Sequence, residues 1–125
     1  MSKKQILVID DEELLTKSLL KLLNSKGYAA TIARSGLEAL AKVKEADFDL
    51  IICDVRMPEM DGIETINQIR LCLEKLNKKN VPEILITGYA DRDKYELAMD
   101  LEVTDYLSKP FDNAEFLRVI KKTIG

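Results

Sequence analysis

Short, continuously apolar runs alternate along this chain with longer stretches in which apolar residues recur every three or four positions. The runs fall at residues 6–9, 29–33, 50–53, 84–87 and 105–107. Three of them, ILVI, LIIC and ILIT, are rich in branched side chains without polar alternation, the pattern of strands covered on both faces. The run at 105–107 is short and mixed, which predicts a sheet edge. Five stretches of helical period separate and follow the runs. Leu15, Leu19, Leu22 and Leu23 share one face of the first, and Gly27 supplies its stop. Ile63, Ile66, Ile69, Leu73 and Leu76 line the third, and Leu117, Ile120 and Ile124 the last. Three starts are explicit. Ser35 with Glu38, Asp61 with Glu64 and Asp112 with Glu115 each fit a capping box, an oxygen acceptor followed three residues later by a carboxylate.

Strand and helix alternating in this way predict one α/β domain, a parallel sheet with right-handed crossovers and helices on both faces. At 125 residues, with 46% apolar and 33% charged content, the chain can bury a core unaided. No run approaches bilayer length, and the opening MSKK lacks the apolar segment of a secretory signal. Cys53 and Cys72 make no framework of bridges, which favours a reducing, cytoplasmic setting. Net charge is −3 and the lysines are scattered, so no nucleic-acid surface is expected on this chain. There is no histidine. A catalytic imidazole, a phosphohistidine and a His-based metal site are thereby excluded from these residues.

The first run, ILVI, stops at four consecutive acids, DDEE. One reading is a fourth capping box, Asp10 with Glu13, since acids suit a helix's first turn. That leaves Asp11 without a task. The third run also stops at an acid, Asp54. In open α/β sheets, ligands bind beyond the carboxyl ends of the strands, where the winding reverses. If runs one and three are neighbours there, Asp10, Asp11 and Asp54 meet. Three carboxylates about 4 Å apart repel by on the order of 12 kcal/mol at intermediate dielectric, and a divalent cation more than offsets that before dehydration. An all-oxygen set with few ligands suits Mg²⁺ or Mn²⁺. Run four closes on Thr87, and Lys109-Pro110 follows run five. Singly, each has an ordinary reading as a strand or surface residue. Together, metal, carboxylates, hydroxyl and ammonium suit a phosphoryl group.

ILVIDDE, DVRMPEMDG and DYLSKPF resemble, in order and across nearly the whole chain, the three signature segments of the response-regulator receiver domains of two-component signalling. The resemblance implies a flavodoxin-like, doubly wound five-stranded sheet of order 2-1-3-4-5. It implies that Asp54 accepts the phosphoryl group. Mg²⁺ would be held by Asp10, Asp11, Asp54 and the backbone carbonyl of Arg56, with Lys109 and Thr87 contacting the phosphate. Tyr106 would be the switch aromatic, its plain alternative a half-buried edge tyrosine, and the Lys109–Pro110 peptide would be cis. The donor would be a sensor histidine kinase or histidine phosphotransfer protein, and the recipient of the signal a downstream effector protein. A monomer or a phosphorylation-dependent dimer is expected, without a membrane. Residues 1–125 are read as one receiver with no output domain in this chain, and not as an enzyme beyond its own phosphorylation and dephosphorylation.

Some residues depart from the pattern. Gly88 stands where a residue such as alanine is usual, Tyr89 is bulky, and Arg56 is a cation two positions after the acceptor; the last two border the site. LEKLNKKN makes the third helix or its following loop long. Leu14 projects away from its helix's core face and could meet a phosphodonor protein. Cys53, Cys72, Met57 and Met60 read as packing. Two other functions compete. A receiver-like interaction module that is never phosphorylated would not need the full acidic set. A phosphatase or phosphotransferase with an aspartyl intermediate would need an acid–base group two residues after Asp54, where Arg56 stands.

Overall fold

The computed structural model describes residues 2–125, apart from the side chains of Tyr89 and Ala90. Five strands, β1 (Gln5–Ile9), β2 (Ala29–Ala33), β3 (Leu50–Asp54), β4 (Glu83–Thr87) and β5 (Asp105–Ser108), form one sheet in the order β2-β1-β3-β4-β5. All neighbouring pairs are parallel. The helices are α1 (Glu13–Ser25), α2 (Gly36–Glu45), α3 (Gly62–Lys75), α4 (Tyr95–Asp100) and α5 (Asn113–Ile124). The expected order is borne out, and the mixed run of β5 lies at an edge.

Side chains alternate across each strand, so the apolar runs feed two cores. Ile6, Val8, Ile52, Ile84 and Ile86 pack with Leu19 and Leu23 of α1 and with Phe116, Val119 and Ile120 of α5. Leu7, Ile9, Ile51, Cys53 and Leu85 pack with residues of α2, α3 and α4. A strand buried on both sides has no polar alternation to show, which is why the runs are continuous.

The N-caps form at α2, α3 and α5, where Ser35, Asp61 and Asp112 accept the backbone N–H groups of Glu38, Glu64 and Glu115, the first half of the expected boxes. Gly27 ends α1 at φ +89°, a backbone geometry that glycine adopts without the Cβ penalty.

Four details differ from the sequence reading. Residue 12, not Asp10, caps α1, and it makes no side-chain cap bond; the acid is needed elsewhere. Leu76 lies just past α3 and is exposed, because the helix ends one residue before it. In α5 the buried aromatic is Phe116, stacked on Phe111 at 5.7 Å, while Leu117 is only half-buried. The fourth helical stretch divides into a 3-10 segment, Tyr89–Lys94, and the short α4. The long connection after α3 has a task of its own. Lys78 donates to the carbonyls of Val43 and Ala46 at 2.9 and 3.5 Å, neutralising the carboxyl end of α2.

Candidate functional site

Winding reverses between β1 and β3, and there the carboxyl ends of the strands open into a crevice. Ile9 lies opposite Cys53 in the register, so Asp10 and Asp54, each one residue further, come side by side. Carboxylate oxygens of Asp10, Asp11 and Asp54 all lie within 4.8 Å of one another. Asp10 is fully buried, Asp54 is 4% exposed and Asp11 faces solvent. Asp10 Oδ1 accepts the Glu12 N–H at 3.0 Å, whereas its Oδ2 is buried without a hydrogen-bond partner.

Lys109 enters from the far side of the crevice. Its ammonium stands 3.5 Å from Asp54 Oδ2 and 3.7 Å from Asp10 Oδ2. The Lys109 N–H donates to the Thr87 carbonyl at 2.7 Å, and Thr87 pairs with Ser108 across the sheet, which fixes hydroxyl and ammonium on adjacent strand ends. The Lys109–Pro110 peptide is cis.

One cation among three acids leaves the crevice short of positive charge. Burial, and next the Asp10 carboxylate, push the Asp54 carboxyl up to about 7 against the pull of Lys109. Burial raises Asp10 as well, although the Glu12 N–H and Lys109 pull it down. Burial alone would lower Lys109, but Asp54 and Asp10 outweigh it and hold the ammonium above its ordinary value. A buried oxygen without a hydrogen bond and three converging carboxylates, an all-oxygen set, together fit a hard divalent cation.

The backbone beneath Asp54 is equally constrained. Gly62 donates its N–H to Val55 O at 2.8 Å, and a Cβ on it would lie 2.1 Å from the Asp54 carbonyl oxygen. Both partners are backbone, so nothing flexible can give. Gly62→Ala is therefore expected to cost about 3 kcal/mol in urea unfolding, and a variant as stable as the parent would show that α3 can shift away from β3.

Around this centre, Tyr106 donates its hydroxyl to the Ala98 carbonyl at 2.9 Å. A cavity of about 170 Å³ lies beside it, lined among others by Val55, Thr87, Ala98 and Met99. Arg56, two residues beyond Asp54, turns its guanidinium to Asp91 at 3.0 Å and Asp93 at 3.3 Å. Cys53 is fully buried, its thiol pushed well up by burial, and Met57 is buried as packing. Met60 and Cys72 are half-buried. Leu14 is 81% exposed. The side chain of Tyr89 lies outside the described residues. The sequence reading missed Asp91, an acid only 7% exposed beside Thr87. Its signal was its place three residues after Gly88, whose N–H it accepts at 2.8 Å.

The fold and its crevice define a doubly wound α/β protein with an acidic pocket at the switch point. The family profile described as the response regulator receiver domain matches residues 6–121, and the chain belongs to that family. Among curated relatives, the transcriptional regulatory protein ZraR of Klebsiella oxytoca is 42% identical over 86% of this chain, which covers 23% of that protein. The chain thus spans about a quarter of the length of that relative. The Vibrio cholerae chemotaxis protein CheY4 superposes with a TM-score of 0.86 at 30% identity, covering 98% of this chain and 99% of that one. The receiver domain of the Pseudomonas aeruginosa sensor histidine kinase PA1611, solved with a magnesium ion in its active site cleft, gives 0.84 at 29% identity over 99% of both chains. Among the described residues, no helix is long and apolar enough to cross a membrane.

Proposed function

We propose that the protein is a phosphorylation-driven switch in which Asp54 accepts a phosphoryl group from the phosphohistidine of a partner protein. The chain contains no histidine, so the donor must be another protein, a sensor histidine kinase or a histidine phosphotransfer protein. The observation that carries the reading is the convergence of Lys109 on Asp10 and Asp54, with a buried oxygen of Asp10 left without a hydrogen bond.

Asp10, Asp11 and Asp54, with the carbonyl of Arg56, would hold Mg²⁺ or Mn²⁺. The bound cation would neutralise the acids and the phosphoryl oxygens. A carboxylate oxygen of Asp54 forms the new bond to phosphorus while the P–N bond of the donor breaks, its electron pair returning to the imidazole. Lys109 faces the charge that gathers on the phosphoryl oxygens, and Thr87 offers a hydroxyl from the next strand end. The protein catalyses no reaction beyond gaining and losing this group.

Moving a two-state domain from 1:99 to 99:1 requires about 5.5 kcal/mol of differential interaction, and one charged hydrogen bond supplies about 1.5–3 kcal/mol. Thr87 and Lys109 together come close, and the cavity beside Tyr106 supplies the rest. If Tyr106 leaves the Ala98 carbonyl and turns into that space, the surface of α4 and β5 that an effector would read changes. Incubation with acetyl phosphate and Mg²⁺, followed by intact-mass measurement, tests the reading. One added phosphoryl group is expected on the parent chain and none on Asp54→Ala. No addition to the parent would instead favour an interaction module of the same fold.

A further inference from the structure

The segment that follows Thr87 is strapped to the loop that follows Asp54. Asp91 is the central buckle. Its Oδ2 accepts the Gly88 N–H at 2.8 Å and its Oδ1 accepts Arg56 Nε at 3.0 Å, so each carboxylate oxygen holds a donor from a different loop. Arg56 also reaches Asp93 at 3.3 Å. A second strap runs with reversed polarity, from Lys94 to Asp61, the residue that caps α3. Asp91 is buried, and its carboxylate is near enough to Asp54 to oppose the ionisation of that acid.

We propose that Asp91 is a positioning residue that holds the receiver in its resting form by keeping the Gly88 amide and the Arg56 guanidinium turned away from Asp54. The inference rests on Asp54 being the phosphoryl acceptor. An acyl phosphate adds roughly one unit of negative charge to that side chain. The nearby Asp91 carboxylate then faces a stronger anion, while its two donors gain a competitor for their protons. The Gly88 N–H adjoins Thr87, and Arg56 is two residues from Asp54, so both are attached to the strand ends that carry the site. Releasing the buckle frees the 3-10 segment and with it Thr87. The strap therefore sets how much of the phosphoryl group's interaction energy is consumed in leaving the resting form.

The test uses beryllofluoride, a non-covalent mimic of the phosphoryl group, titrated in Mg²⁺ into the full chain while the Gly88 amide is followed by NMR. Asp91→Ala is expected to bind the mimic about tenfold more tightly than the parent. Asp91→Asn, which keeps an oxygen for Gly88 but lacks the charge that holds Arg56, should fall between them. Arg56→Gln should tighten binding in the parent and add nothing in Asp91→Ala, because both changes open the same strap. A merely structural role would weaken binding in each variant as the fold loosens. Equal or weaker binding by a folded Asp91→Asn overturns the proposal, and that isosteric variant decides the matter even if Asp91→Ala does not fold. Failure of the parent to bind beryllofluoride at all would count against the Asp54 reading instead.

Discussion

Stripped of divalent cations, the protein is expected to lose stability as pH rises from about 4 to about 7, then to level off. The cause is the raised Asp54 carboxyl, at about 7 in the fold against an ordinary value of 3.8. Between those values the folded chain holds a proton that the unfolded chain has released, so stability falls with pH through that window. The shift corresponds to on the order of 4 kcal/mol. Asp10, raised by burial, adds in the same direction. Asp61 runs the other way. Burial would raise it, but the Glu64 N–H and Lys94 outweigh that and lower its carboxyl. Its contribution is complete above the unfolded value and does not offset the loss.

Asp54→Asn removes the ionisation and keeps the shape. In EDTA at about pH 8 the variant should be the more stable protein, and near pH 4 the two should converge. Mg²⁺ at about a hundred times its Kd should restore roughly 2.7 kcal/mol to the parent and clearly less to the variant. Urea unfolding followed by circular dichroism, with and without Mg²⁺, reads both effects. Equal pH slopes for the two proteins would mean that the pocket does not hold its acids under strain, and the cation argument would go with them.

Much of this was legible in the sequence because the signals are local. A strand buried on both faces must be apolar at every position, so residues 6–9 and 50–53 announce themselves. Helix caps act over three residues, and Ser35, Asp61 and Asp112 all cap as their spacing indicates. The acids stand at strand ends because the sheet's carboxyl edge is where polar groups can gather without crossing the core.

What escaped depends on which loops meet. Arg56 and Asp91 are 35 residues apart, and no periodicity links them. The same contact accounts for the divided fourth helix. In the stretch YADRDKYELAMD the first half, with two Asp and a Tyr, has the weaker helix propensity, and there Asp91 and Lys94 are held toward Gly88, Arg56 and Asp61 in the adjoining turns. Tertiary pull there acts on a segment of modest local propensity. Asp10 shows the reverse error. Its spacing to Glu13 fits a cap, but its Oδ1 takes the Glu12 N–H within the turn and its Oδ2 has no hydrogen bond and faces the Lys109 ammonium at 3.7 Å. Spacing can identify a capable acceptor without revealing that a second site competes for it.

Lys109 separates charge balance from chemistry. If its ammonium serves only to neutralise Asp10 and Asp54, from which it stands 3.7 and 3.5 Å, its loss should weaken the metal-free fold and little else once Mg²⁺ is present. If it faces the phosphoryl group during transfer, its loss should slow acceptance in saturating Mg²⁺. Removing one preorganised donor from such a site costs about 10²–10³ in rate, and that is the expected effect of Lys109→Ala on phosphorylation by acetyl phosphate, timed by intact mass. Lys109→Arg keeps the charge but replaces a compact ammonium on a flexible stem with a broad planar fork, so it should recover only part of the rate. Lys109→Ala, which removes a positive charge beside the pocket, should bind Mg²⁺ at least as tightly as its parent, so slower acceptance in saturating Mg²⁺ would not come from a lost ion. A Lys109→Ala protein that is phosphorylated as fast as its parent would reduce this residue to a counter-ion and pass its claim on the phosphoryl group to Thr87 and Arg56.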